Sequence, residues 1–170
     1  MRQEHWQTRL SARHTITETG RFNAGTVESP SYQVLYLAKN HLIALFEVRA
    51  LVGTTESPIP DPRSTWTTLN LNVVLHRVAD LADPREQKLI GTSAQELTGK
   101  WDPYEDPGTA PTQLLGAALF DLPGLEGFLA PTAVPEISGK TLVDFPEKLR
   151  PQSRIEFWNA TTGVIERLRV

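Results

Sequence analysis

The sequence predicts an α+β fold, a single domain with a mostly antiparallel sheet and flanking helices. Three observations predict it. Short β-favourable runs recur along the chain, the clearest at residues 34–38. Two longer stretches, residues 41–52 and 111–122, carry helical periodicity. Thirteen prolines in 170 residues cut the chain into short pieces, which argues against a helical bundle. The length suits one domain over residues 1–170, and 39% hydrophobic with 22% charged residues is ordinary for a globular chain.

Taken in order, residues 6–10 read as a short strand and residues 11–20 as turn-like. Gly20 and Gly25 bracket a polar loop that contains Arg21. Val34-Leu35-Tyr36-Leu37-Ala38 suits a buried strand. Asn40 is placed to cap a helix over 41–52, with Gly53 just past its end. Residues 54–63 hold three prolines and read as a loop. Trp66, Leu69, Leu71 and Val73 predict a strand within 65–75. Asp83-Pro84 starts a short helix through Ile90. The stretch from Gly91 to Gly99 reads as a capped helical turn, and 100–111 as a loop. In the helix over 111–122, Leu114, Leu115, Ala118, Leu119 and Leu122 form the apolar face. Strands follow at 127–134, 141–145, 154–159 and 164–168.

Composition excludes several chemistries. No cysteine means no disulfide, no thiolate nucleophile and no Cys-ligated metal. His5, His14, His41 and His76 lack metal-ligand spacing, so no metal site is expected. A net charge of −3 argues against direct nucleic-acid binding. No apolar run approaches the ~20 residues of a membrane span, and the first residues lack a signal-peptide core. The expectation is a cytoplasmic protein.

Four residues stand out for chemistry. Glu47 has Ile43, Ala44, Ala50 and Leu51 as its helical-turn neighbours. A carboxylate on that stripe needs a partner or a raised pKa. It is either a stripe-edge residue, a partner for a buried arginine, or a functional group lining a cleft. Arg21, presented between glycines, is either a solvated surface residue or a fork for phosphate or carboxylate. Tyr36 either packs, with one hydrogen bond for its hydroxyl, or stacks on a planar ligand. Arg9 is either ordinary surface or a residue reaching the same cleft.

Arg21-Phe22-Asn23, then Tyr36 before Ala38, then Glu47 eleven residues beyond Tyr36, occur in this order. With Gly127-Phe128 and Thr141-Leu142-Val143-Asp144-Phe145-Pro146, they resemble the RES domain family. That resemblance implies a fold similar to the ADP-ribosyltransferases. It implies a toxin of a bacterial toxin–antitoxin pair that breaks NAD+ at the nicotinamide–ribose bond, by phosphorolysis or hydrolysis. Glu47, Arg21 and Tyr36 would be catalytic; Arg9, Arg21, Tyr36 and Thr132 would hold the dinucleotide. Thr132 stands where the family carries serine, with Ser138 a second choice. NAD+ would be a substrate and inorganic phosphate a co-substrate, with no permanently bound cofactor. A cognate antitoxin is the implied partner, and a homo-oligomer is left open. Two other readings stay in play: ADP-ribosyl transfer to a macromolecule, and a non-catalytic NAD-binding module.

Overall fold

The computed structural model describes residues 3–62, 65–99, 109–134 and 137–168. In chain order the elements are β1 (Leu35–Ala38), α1 (His41–Glu47), β2 (Leu51–Gly53), β3 (Pro58–Pro60), β4 (Leu71–Val74) and β5 (Val78–Asp80). Then come α2 (Pro84–Ile90), α3 (Ala94–Thr98), α4 (Pro111–Asp121), β6 (Gly127–Pro131), β7 (Lys140–Asp144), β8 (Arg154–Asn159) and β9 (Val164–Arg167). The α+β class holds. The strands divide into three sheets, ordered β1-β7-β6-β5, β2-β3 and β4-β8-β9. Every strand pair is antiparallel except β5 with β6.

The main sheet is stitched from distant segments. Tyr36 lies opposite Val143, and Val143 in turn lies opposite Phe128. Phe22, Val34, Leu81, Leu97, Leu119, Phe128, Val143 and Phe145 form the core under it. Aromatic rings run through this core in contact. Phe22 meets Phe128 edge-on at 5.0 Å, and Tyr32 stacks on Phe120 at 4.3 Å. Such pairs add about 0.5–1.5 kcal/mol each beyond burial.

Several expectations are corrected. Residues 6–10 form no strand; a 3-10 helix occupies Gln3–Thr8 instead. The loop predicted over 54–63 contains β3, which pairs with β2. Most of the loop predicted over 100–111 lies outside the described residues.

The largest correction concerns α1. It begins as expected, with the Asn40 side chain accepting from the Ile43 N–H at 3.0 Å, a cap worth about 1 kcal/mol. It ends at Glu47 rather than at 52. The Arg49 N–H donates to the Phe46 carbonyl at 2.9 Å, and the Ala50 N–H reaches back to Leu45 at 2.8 Å. These two bonds close a Schellman motif, with Arg49 at the left-handed position, φ 55°. An arginine there costs roughly 1 kcal/mol against glycine, which meets no Cβ clash. Apolar periodicity alone hides this ending, because Ala50 and Leu51 continue the stripe into β2.

The apolar face assigned to α4 is also revised. Leu114 and Leu122 are exposed, while Thr112, Gln113, Gly116 and Leu119 are buried. Gly116 lets the helix settle onto the Phe22 backbone. A Cβ on Gly116 would lie 2.0 Å from the Phe22 carbonyl oxygen.

Two carboxyls lie fully buried beside the core, Glu126 and Asp144. Glu126 accepts backbone N–H groups from His76 at 2.7 Å, Arg77 at 2.9 Å and Arg150 at 3.0 Å. Burial pushes its pKa up; the Ser153 hydroxyl and these three donors outweigh that and hold it below the usual range. Among the described residues neither oxygen of Asp144 has a hydrogen-bond partner within bonding geometry. Burial first, and then the Glu126 charge, push Asp144 up to about 7.

A carboxyl raised in the fold from 3.8 to about 7 stabilises the protein fully below pH 3.8 and loses that contribution as pH rises towards 7. The Asp144→Asn variant removes the titration. Its melting temperature relative to wild type is expected to rise by roughly 5 °C or more between pH 4 and pH 8. Parallel pH profiles for the two proteins would show that Asp144 does not titrate in this window.

Candidate active site

A cleft of about 600 Å³ opens between the β1–α1 unit and the segment from Trp66 to Leu71 that leads into β4. This volume is within the range of small-molecule sites, ~300–1,000 Å³. Arg9, Arg21, Tyr36 and Glu47 all line it. The four residues are separated by up to 38 positions in the chain, yet one cavity collects them.

Glu47 sits on the last turn of α1, half-buried. Its Oε1 accepts a hydrogen bond from the Thr132 hydroxyl, the Ala133 N–H at 3.3 Å and the Thr141 hydroxyl at 3.4 Å. The predicted need for partners is thus met by the end of β6 and the start of β7. A carboxylate anchored through one oxygen has the other in position to meet a ligand, with its orientation already fixed.

Arg21 is also half-buried. Its Nη1 donates to the Gly99 carbonyl at 2.8 Å and the Leu97 carbonyl at 3.3 Å, so α3 holds one branch of the fork. Its Nε and Nη2 have no partner among the described residues. Burial lowers its pKa, while the nearby Glu47 and Tyr36 raise it. No ion pair joins Arg21 to Glu47, which leaves room for a ligand group between them.

The Tyr36 hydroxyl donates to Asn23 Oδ1 at 2.9 Å and accepts from the Phe22 N–H at 3.0 Å. Burial of the hydroxyl is the main force pushing its pKa up to about 12, so it stays a donor. The side of the ring towards the cleft stays open, and the residue is 37% exposed. Tyr36 therefore packs through its hydroxyl and also borders the cleft.

Arg9 lines the cleft with its charge already paired. Its guanidinium donates to both oxygens of Glu166, 2.6 Å to Oε2, and to the Trp6 carbonyl at 2.6 Å. It also lies 4.5 Å over the Trp6 ring. This binds the N-terminal turn to β9. Thr132 is 8% exposed and stands beside Glu47, off the walls of the cleft. Thr132, expected at the dinucleotide, does not line the cleft, and its hydroxyl donates to Glu47. Ser138 is exposed and lines no part of the cleft.

The loop that carries Arg21 is rigid for reasons the sequence shows only in part. Phe22 and Asn23 are buried on one side of it, so Arg21 is turned outward. Asn23 Nδ2 donates to the Thr15 and Glu18 carbonyls at 2.9 and 2.8 Å. Gly20 packs so close that a Cβ would lie 2.5 Å from Asn23 Oδ1. Gln113 was missed by sequence reasoning. Its Oε1 caps α4 by accepting from the Ala110 N–H, and its Nε2 donates to Thr19 and Gly20, each at 2.9 Å. The glutamine three residues after the N-cap Ala110 was the available signal, and it announces only the cap. Thr141 and the Ala133 N–H were missed as well, since a backbone donor leaves no mark in a sequence.

Among the described residues no helix is long and apolar enough to cross a membrane. The family model for the RES domain matches residues 1–159. No curated protein matches the chain, and no solved structure matches it.

Proposed function

Because the chain belongs to the RES domain family, whose model covers residues 1–159, we propose that it cleaves NAD+ at the nicotinamide–ribose bond. The observation that carries this reading is Glu47, a carboxylate pinned by three hydrogen-bond donors where Arg21 and Tyr36 meet one cleft. Breaking that bond leaves positive charge on the ribosyl carbon, as in other glycosyl transfers. A fixed carboxylate stabilises this charge without reorganising. The electron pair of the broken bond goes to the pyridinium nitrogen. Nicotinamide leaves neutral, so no acid is needed to expel it.

In this reading Arg21 binds the dinucleotide's phosphates through the donors that α3 leaves open. Tyr36 lies against the nicotinamide end. Arg9, neutralised by Glu166, closes the far wall of the cleft rather than supplying charge. The architecture is then a variant of the ADP-ribosyltransferase fold. The protein would act as a toxin in the cytoplasm, with an antitoxin protein that blocks the cleft as its partner.

The test is nicotinamide release from NAD+ by purified protein, followed by chromatography with and without phosphate. Release is expected in at least one condition. Its absence in both, from folded protein, would remove the reading. Transfer of labelled ADP-ribose to a macromolecule would instead place the protein among the transferases.

Thr132 acts as a positioning residue through Glu47. Thr132→Val keeps the shape and removes the hydroxyl; kcat is expected to fall about tenfold, with KM for NAD+ little changed. Thr132→Ser restores the donor and is expected to restore kcat. Equal rates for the Val and Ser variants would show that the hydroxyl does not matter.

A further inference from the structure

The N-terminal end of β6 carries a buried group that the cleft does not use. Glu126 accepts the Arg77 N–H at 2.9 Å through one oxygen and the Arg150 N–H at 3.0 Å through the other. Its own N–H returns to the Arg77 carbonyl at 2.9 Å. One carboxylate thus fixes the backbone of two arginines from distant parts of the chain. Both side chains then come together over the turn at Gly124. A Cβ on Gly124 would lie 3.2 Å from Arg77 Nη1 and 3.2 Å from Arg150 Nη2. Those two nitrogens are therefore no more than twice that distance apart. Lys148 adds a third cation at the same turn, its Nζ donating to the Leu122 carbonyl at 2.8 Å.

Among the described residues neither guanidinium has a hydrogen bond or an ion pair. Asp121 and Glu147, the acidic residues on the adjoining segments, form no ion pair with them, and Glu147 accepts from Gln33 Nε2 at 3.3 Å. In a chain of net charge −3 this turn is an island of positive charge. Like charges held together repel unless an anion joins them. That anion is not the cleft's ligand. Neither arginine lines the cleft, and the five residues of β6 put the pair about 17 Å from Thr132 and its partner Glu47.

We propose that Arg77 and Arg150 form a docking site for an acidic helix of a protein partner. Each planar fork takes one carboxylate through two parallel N–H···O bonds. Carboxylates four positions apart on a helix have Cβ atoms about 5–6 Å apart, which suits the spacing of the two forks. Leu122, half exposed on the same turn, offers an apolar contact beside the charges. Duplex DNA calls for a broader basic stripe than three cations in an acidic chain. The proposal does not depend on the NAD+ reading.

The probe is a blocked, labelled, alanine-rich helical peptide with two glutamates four positions apart, read by fluorescence anisotropy on the full chain. One control peptide carries glutamines in their place. A second has the glutamates two positions apart, on opposite faces of its helix. The first peptide is expected to bind at least about tenfold more tightly than either control, and more weakly as salt is raised. Arg77→Gln and Arg150→Gln are each expected to weaken it about threefold to tenfold, and the double variant to reduce it to the level of the glutamine control. Melting temperatures within about 2 °C of wild type would show that the variants are folded. Equal binding of the three peptides, or binding unaltered in the double variant, overturns the docking site. So does binding of duplex DNA that needs Arg77 and Arg150 while the peptide stays unbound, which would make the occupant a nucleic acid. Nicotinamide release has no part in the readout, so this proposal and the NAD+ reading fail separately.

Discussion

Glu47→Gln is expected to lower nicotinamide release by about 10²–10³-fold, the usual cost of removing one preorganised electrostatic group. Glutamine has the same shape, and its amide oxygen accepts from Thr132 and Ala133 as the carboxylate does. The fold around α1 should therefore survive, and a melting temperature within about 2 °C of wild type would confirm that. What disappears, on the proposed reading, is the negative charge at the ribosyl carbon. KM for NAD+ should move far less than kcat, because the lost interaction strengthens only as the bond breaks. Folded Glu47→Gln protein with near wild-type release would take the central role away from Glu47.

Gly116→Ala is expected to be the most damaging glycine-to-alanine change among the described residues. The new Cβ would lie 2.0 Å from the Phe22 carbonyl oxygen, and that atom is backbone, which cannot turn aside. Phe22 is 3% exposed and packed on Phe128, so the loop cannot retreat into the core. Overpacking of this kind costs about 1–3 kcal/mol, and each kcal/mol shifts the melting temperature of a chain of this size by about 2–4 °C. A fall of roughly 6–12 °C follows at the upper end of that cost. Activity should drop further than stability, because the displaced loop carries Arg21. The matched comparison is Leu114→Ala, two residues away on the other side of the helix and 61% exposed, which should change stability by less than about 0.5 kcal/mol. If Leu114→Ala proved the more damaging, the placement of α4 would be wrong.

The surroundings of Glu47 and of Gly116 differ in how much of them the sequence made legible. Glu47 was legible because a carboxylate among apolar neighbours is conspicuous, and the structure supplies the partners it needed. Arg21 and Tyr36 were legible for a similar reason: each departs from its local pattern. The α4 face was misread because leucine outweighs glycine and glutamine in any apolar count. The side that packs is chosen by how closely Gly116 and Gln113 let the helix approach the loop at 20–23. The end of α1 was misread because a left-handed arginine gives no glycine signal. Residues 6–10 alternate like a strand, but Arg9 is drawn to Glu166, 157 positions later. No local window contains that attraction. Pairing partners in the sheets were invisible for the same reason.

The order of the strands has a consequence for the timing of synthesis. β1 has β7 as its strand partner, and the donors that fix Glu47 come from Thr132, Ala133 and Thr141. Their partners on the N-terminal side emerge from the ribosome 85–94 residues earlier. Contacts that distant in sequence form late and cooperatively. A nascent chain that has exposed Arg21, Tyr36 and Glu47 therefore still lacks the wall that orients them. The site is born only when β7 threads between β1 and β6. A truncated product ending before that strand would carry Arg21, Tyr36 and Glu47 without the wall that fixes their geometry.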